Sequence, residues 1–287
     1  MKESVCLITG ATSGIGRATA YEMAKRKYTV VVAGRNRQKC ASTVESIIKV
    51  TGNQFVDYLV ADLSSQEDIH SLSQQFQKKY ARLDVLVNNA GTIAWTHQLT
   101  MDGIELTFAL NHLSYFLLTN LLLDILISSA PARIINVSST AHLNAEIKLE
   151  DIQNPRIYRG FRAYCQSKLA NILFTYEIAR RLQGTGLSVN AVHPGIVATN
   201  LPANGKVPLG WVTRPILRSM LAIVGSNTNQ GIETVVHLAT SPDVADVTGK
   251  YFVDGIETHS SKASYDANLA TKLWELSCYL TSLTNEN

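Results

Sequence analysis

The stretch Val5-Cys6-Leu7-Ile8-Thr9-Gly10-Ala11-Thr12-Ser13-Gly14-Ile15-Gly16-Arg17-Ala18-Thr19-Ala20 decides the fold. A short aliphatic run leads into three glycines at GxxxGxG spacing, and these lead into a helix-compatible segment. The order is strand, tight turn, helix amino terminus. Glycines permit backbone conformations and close approaches that a Cβ forbids, while free N–H groups and the helix dipole favour a pyrophosphate at that point. Gly10, Ser13, Gly14, Ile15 and Gly16 are therefore candidate cofactor contacts, the Ser13 hydroxyl adding a donor. The spacing differs from the GxGxxG of the longer-known dinucleotide fingerprint, so its meaning depends on what surrounds it.

The surroundings repeat the first strand. Thr29-Val30-Val31-Val32, residues 55–60, Val85-Leu86-Val87, Ile134-Ile135-Asn136-Val137, residues 187–192 and Tyr251-Phe252-Val253 are short runs, apolar on both faces. Strands of a parallel sheet covered by helices on both sides have this character. Helix-compatible segments separate the runs, and right-handed crossovers through them give a doubly wound, Rossmann-type α/β fold with seven parallel strands. The 287 residues would accommodate about two average domains. No linker, repeat or low-complexity tract divides them, so a single domain over 1–287 is expected. Residues 200–225, which contain Pro202, Gly205, Pro208, Gly210 and Pro215, follow a strand's carboxyl end, where ligands bind in such folds, and are expected to form a substrate loop or lid.

Composition sets outer bounds. With 46% hydrophobic and 17% charged residues, the disordered and collagen-like classes are excluded. Lys+Arg 26 against Asp+Glu 23 gives a net charge of +3, too weak a bias for nucleic acid as a partner. Cys6, Cys40, Cys165 and Cys278 lie far apart without a CxxC pair; they suggest neither a metal site nor a disulfide framework, and fit a reducing compartment. Met1 runs almost directly into the first strand, without the features of a signal peptide. The longest apolar region, 104–127, is interrupted by Glu105, Asn111, His112, Asn120 and Asp124, which are costly in hydrocarbon. A cytoplasmic chain without a transmembrane span is expected, with 104–127 as a buried or partner-facing helix.

The end of the second strand selects the dinucleotide. Val32-Ala33-Gly34-Arg35-Asn36 offers no carboxylate to a ribose 2′-hydroxyl, whereas Arg35 can grip a 2′-phosphate with a bidentate, charge-assisted contact. NADP(H) is expected over NAD(H). After the third strand, Asp62 and Leu63 can bracket adenine, or Asp62 can cap the next helix. The fourth strand closes in Asn88-Asn89-Ala90-Gly91. Asn89, Ala90 and Gly91 can line the cofactor, and the amides can also tie adjacent strands.

Tyr164 and Lys168 stand four apart in Ala163-Tyr164-Cys165-Gln166-Ser167-Lys168, on one face of a helix. A tyrosine alone titrates near 10, and a neighbouring cation favours the phenolate, so Lys168 is expected to lower Tyr164. The fifth strand ends in Val137-Ser138-Ser139. A loop can bring Ser139 to the start of that helix, where it would donate a hydrogen bond to a carbonyl oxygen that Tyr164 protonates.

Taken in order, Thr9-Gly10-x-x-x-Gly14-Ile15-Gly16, Asn88-Asn89-Ala90-Gly91, Asn111, Ser139, Tyr164-x-x-x-Lys168 and Pro194-Gly195 resemble the short-chain dehydrogenase/reductase family along nearly the whole chain. Asp102-Gly103-Ile104-Glu105, Asn111-His112-Leu113, residues 163–171 and Val192-His193-Pro194-Gly195 are similar to its retinol dehydrogenase branch. The resemblance implies that Tyr164 is the acid/base, that Lys168 holds the nicotinamide ribose and that Ser139 orients the substrate oxygen. It further implies a relay water at Asn111, and a loop around the nicotinamide built from Pro194, Gly195, Val197 and Thr199. The implied reaction interconverts a lipophilic alcohol and its aldehyde or ketone with NADP(H). Steroid, tetrapyrrole, quinone or xenobiotic carbonyls are alternatives on the same fold; a non-catalytic NADP-binding sensor or scaffold is the alternative of another class. Animal members of the branch commonly carry a membrane anchor ahead of the first strand, where this sequence begins, which puts retinoid specificity in doubt. Apolar residues 216–224 read as a lid or as a peripheral membrane contact. Segments 100–127 and 161–182 correspond to helices that form the dimer interface in many members. Their face of Phe108, Leu110, Leu113, Phe116, Leu117 and Leu121 could serve a homodimer or simply cover the sheet.

Overall fold

The glycine turn leaves a strand near the middle of an eight-stranded sheet. A computed structural model describes residues 4–153, 157–195, 203–204 and 228–284. Its strands are β1 (Val5–Thr9), β2 (Thr29–Gly34), β3 (Val56–Val60), β4 (Val85–Asn88), β5 (Ile93–Ala94), β6 (Ala132–Val137), β7 (Leu187–His193), β8 (Ala203–Asn204), β9 (Lys250–Val253) and β10 (Ile256–Glu257). The main sheet runs β10-β9-β7-β6-β4-β1-β2-β3, and β5 pairs separately with β8. All seven expected strands are present and mutually parallel. The eighth, β10, is an antiparallel edge of two exposed residues after a turn in which Asp254 and Gly255 both have positive φ; so short a segment has no apolar pattern to read.

Burial on both faces explains the apolar strands. In β1, Val5 and Leu7 join one core layer while Cys6 and Ile8 join the other. The helices are α1 (Gly14–Lys25), α2 (Arg37–Thr51), α3 (Gln66–Lys79), α4 (Leu106–Phe108), α5 (Ser114–Leu121), α6 (Leu123–Ser128), α7 (Gly160–Arg181), α8 (Thr228–Thr240) and α9 (Ala267–Thr281). Side chains of α1, α2 and α8 fill the layer under Cys6 and Ile8. Those of α3, α5, α7 and α9 fill the layer under Val5 and Leu7.

The region 104–127 is not one helix. The buried carboxylate of Glu105 accepts from the backbone N–H groups of Thr107 and Phe108 at 2.9 and 2.7 Å, so α4 begins only at Leu106. A π-helical turn, Ala109–Leu113, then widens the chain before α5. Phe108, Leu113, Phe116 and Leu117 are buried within this single chain. Leu110 and Leu121 of the same face are half-buried against the core layer under Val5 and Leu7. Among the described residues, no helix is long and apolar enough to cross a membrane.

Candidate active site

Because β1, β4, β6 and β7 are parallel, their carboxyl ends open on one edge of the sheet. Strand order reverses between β1 and β4, the topological switch point at which ligands bind in open α/β sheets. Two glycine-bearing segments meet there. Gly10 has φ +65°, and a Cβ on it would stand 2.8 Å from Ala90 Cα. A Cβ on Gly16 would overlap the Asn89 side-chain amide. That amide donates to the Thr9 carbonyl at 2.8 Å, and the Thr9 hydroxyl accepts from the backbone of Asn89 and Ala90 at 2.8 and 3.1 Å. Asn88, one residue earlier, ties β4 to β6 by donating to Asn136 at 2.9 Å. Of the two expectations for the asparagine pair, the tie between strands is found at Asn88, and Asn89 braces the glycine turn.

The start of α1 fits an anionic ligand. Asn36, Ser65 and Asp266 accept from their own helices as caps, whereas exposed Ser13 makes no side-chain cap bond and α1 has no acidic residue in its first turn. A cap is worth about 1 kcal/mol, so α1 leaves both a hydroxyl and its first N–H groups to something else. Ile15 packs on the core and anchors the turn. The β2 end lies alongside, since a Cβ on Gly34 would stand 3.0 Å from the Thr12 methyl. Arg35 follows, exposed. Ala61 donates to the Gly34 carbonyl at 3.1 Å, which brings Asp62 and buried Leu63 to the same edge. Asp62 does not cap α3; its carboxylate accepts from the backbone and hydroxyl of Ser64, closing a turn, and Ser65 is the cap. These residues fit a dinucleotide with its diphosphate on α1.

Beyond Gly91 the site becomes a cluster of side chains. A Cβ on Gly91 would stand 3.3 Å from Asn111 Oδ1 and 3.7 Å from Lys168 Nζ. Asn111, carried by the π turn, accepts from Thr92 N at 2.8 Å and donates to the Thr92 carbonyl at 3.0 Å and to Ser167 Oγ at 2.9 Å. Its amide is thus engaged in holding the segment after β4 to α7. Ser167 donates to the Tyr164 carbonyl at 2.7 Å. Lys168 donates to the Val137 carbonyl at 3.0 Å, with its Nζ 5.6 Å from the Tyr164 ring centroid and 5.8 Å from that of Tyr115. The Ser139 hydroxyl stands beside the Tyr164 phenol, close enough to oppose the rise in its titration, and itself accepts from Ala141 N at 3.2 Å. Ser139, Tyr164, Lys168 and Asn111 are therefore brought together.

The electrostatics differ from expectation. Burial pushes the Tyr164 phenol up to about 12, the Ser139 hydrogen bond acting in the opposite sense. Burial also pulls the Lys168 ammonium down to about 7. The expected net lowering of Tyr164 is corrected: the loss of water on burial outweighs the opposing effect of Ser139. At neutral pH the phenol keeps its proton.

Pro194 and Gly195 leave β7 toward the same edge. Gly231, near the start of α8, lies so close that a Cβ would overlap the Pro194 carbonyl. Val197, Thr199 and, apart from β8, the expected lid at 200–225 lie outside the described residues. Sequence reasoning missed the roles of Thr9 and Ser167, although both sit inside quoted motifs. It also missed Gly231, whose partner is distant in sequence.

Comparison with known proteins agrees with this geometry. The short chain dehydrogenase family model matches residues 4–206. Retinol dehydrogenase 14 of Mus musculus is 41% identical over 287 aligned residues, covering 96% of this chain and 85% of its own. Retinol dehydrogenase 13 of Homo sapiens is 39% identical over 279, covering 96% and 84%. Among solved structures, the Pseudomonas aeruginosa RhlG/NADP active-site complex matches with a TM-score of 0.68 at 27% identity, covering 88% of this chain and 95% of that one. The chain belongs to the short-chain dehydrogenase family of oxidoreductases.

Proposed function

We propose that the chain is an NADP(H)-dependent oxidoreductase that interconverts a lipophilic alcohol and its aldehyde or ketone. The observation that carries this reading is the meeting of the Ser139 and Tyr164 hydroxyls beside Lys168, on the sheet edge that also holds the glycine turn. When bound, the nicotinamide supplies or accepts the hydride. Tyr164 holds the proton that the substrate oxygen takes up, and with Ser139 it offers two hydroxyl donors to that oxygen as negative charge develops. A phenol protonated at neutral pH matches the reductive direction. Lys168 is assigned to the nicotinamide ribose and Gly91 gives it room; Pro194, Gly195, Val197 and Thr199 are assigned to the nicotinamide side.

At the other end, Gly10, Ser13, Gly14 and Gly16 take the diphosphate, Asp62, Leu63, Asn89 and Ala90 flank the adenosine, and Arg35 takes a 2′-phosphate. Preference for NADP(H) is supported by Arg35 standing where a carboxylate would select the free ribose, and by the NADP complex of the structural neighbour. Lipophilic substrates are supported by the retinol dehydrogenases among the relatives. The test is a panel of all-trans-retinal and steroid, tetrapyrrole, quinone and simple lipophilic carbonyls, assayed with NADPH and NADH in parallel. Oxidation of NADPH by a lipophilic carbonyl, with NADH much slower, is expected. Binding of NADPH without turnover on any member would favour a sensor or scaffold instead.

A further inference from the structure

His142 is held at both ring nitrogens, and each bond admits one assignment. It is fully buried in the 3-10 turn Thr140–Asn144, which follows β6 and Ser139. Its Nδ1 lies 2.6 Å from the Ser139 carbonyl oxygen, and its Nε2 lies 3.0 Å from the backbone nitrogen of Ser261. A carbonyl only accepts and a backbone N–H only donates. Nδ1 therefore donates, Nε2 accepts, and the ring is neutral with its proton on Nδ1. The imidazole meets the Tyr251 ring edge-on, at 5.0 Å and 71°.

Ser261 is fixed in turn. Ser260 Oγ bonds the hydroxyls of Ser264 at 2.6 Å and Tyr176 at 2.7 Å, and Ser264 Oγ donates to the Ser261 carbonyl at 2.6 Å. Tyr176 lies on α7, the helix that carries Tyr164 and Lys168. Hydrogen bonds thus run from Ser139 through His142 and the 260–264 segment back to α7.

We propose that His142 is a positioning residue for Ser139: its Nδ1 bond joins the turn bonds from His142 N to the Ser139 carbonyl at 3.1 Å and from Ala141 N to the Ser139 hydroxyl at 3.2 Å, fixing the peptide after β6 and making the direction of the hydroxyl depend on segment 260–264. The inference rests on the reading of Ser139 as the group that meets the substrate oxygen. Nothing in the local sequence signals it, because the two partners of His142 lie on opposite sides of it in the chain and 261 is distant.

Two variants separate the two bonds. His142→Asn places an amide nitrogen near the Nδ1 position and keeps the bond to Ser139 while releasing Ser261. His142→Gln reaches Ser261 with its carbonyl oxygen and withdraws the side-chain bond to Ser139, leaving that carbonyl only the backbone bond from residue 142 at 3.1 Å. The measurement is kcat and KM for NADPH-driven reduction of all-trans-retinal, with NADPH affinity from fluorescence titration. His142→Gln is expected to lower kcat by about tenfold or more, the scale of a small misplacement of a reacting group, at unchanged NADPH affinity, and His142→Asn to recover most of the loss. Wild-type kcat in His142→Gln, or equal losses in both variants that follow their melting temperatures, overturns the proposal.

Should neither variant fold, Ser261→Pro asks the same question from the other side. Ser261 has φ −64°, which proline adopts, and its hydroxyl has no hydrogen-bond partner, so the substitution chiefly removes the N–H. Reduced kcat at unchanged NADPH affinity supports the proposal, and unchanged kcat overturns it. An active wild type indifferent to these changes overturns this inference alone. A wild type that binds NADPH but reduces no carbonyl removes the proposed function, and the inference with it.

Discussion

The glycine turn 10–16 builds its part of the site from backbone, with Ser13 exposed and the start of α1 uncapped, whereas Ser139, Tyr164 and Lys168 build theirs from side chains, with Tyr164 and Lys168 buried deeply enough to displace both titrations. The first region is sterically intolerant, because a single added methyl group meets Ala90 or Asn89. The second has room for isosteres but no tolerance for lost chemistry. Burial there gives Lys168 its shifted titration and opposes the stability of the fold.

The contrast is broken most severely at the chemical end. Tyr164→Phe keeps the ring and removes the proton donor; single-turnover carbonyl reduction is expected to slow by about 10³-fold, within the usual range for a general acid, while NADPH titration shows unchanged affinity. Gly16→Ala makes the opposite perturbation, pressing a Cβ into the Asn89 amide. Overpacking of this kind costs about 1–3 kcal/mol, and NADPH affinity is expected to fall by about tenfold or more, accompanied by a lower melting temperature. Arg35→Asp touches neither packing nor proton transfer. Its expected effect is about a tenfold rise in KM for NADPH, the scale of one lost charge-assisted hydrogen bond, with NADH used better than before.

Lys168→Met is the mildest for the fold and the sharpest for the comparison. Turnover should fall, yet the melting temperature at pH 6 should rise by a few degrees, because a desolvated charge is removed and the Val137 carbonyl still accepts from Asn171 at 3.3 Å. The sign follows from linkage. Lys168 titrates near 7 in the folded chain, below its ordinary 10.5, so the unfolded chain binds more protons in that interval. Wild-type stability from this group therefore rises with pH between those values, and the advantage of the methionine variant should shrink across the same window. An advantage that does not change between pH 6 and pH 10 would contradict the assignment.

Legibility in the sequence followed the same division. The turn and the Tyr164–Lys168 pair are readable because each is contained within a few residues, and the seven strands because burial on both faces leaves short, largely apolar runs. Ser139 was readable only as a strand end that a loop could deliver. Within 104–127, hydrophobic spacing does not reveal where the helix begins or widens, because Glu105 buries its carboxylate as a cap and Asn111 sits in a π turn. The direction of the Tyr164 shift was unreadable for a related reason. It depends on the loss of water around the buried phenol, and not on the four-residue spacing alone. Gly231 against Pro194 and His142 against Ser261 join positions far apart in the chain, where no local motif exists.

Hydride transfer between a nicotinamide and a lipophilic carbonyl can be followed atom by atom with NADPH carrying deuterium at its transferable position. Incubated with the wild-type protein and all-trans-retinal, or with whichever panel carbonyl is consumed, it should deliver the deuterium to the carbinol carbon of the product, one label per NADPH oxidised, and Tyr164→Phe should bind the same cofactor while transferring label about 10³-fold more slowly. Alcohol formed without label, or label transferred at the wild-type rate by Tyr164→Phe, would contradict the assignment.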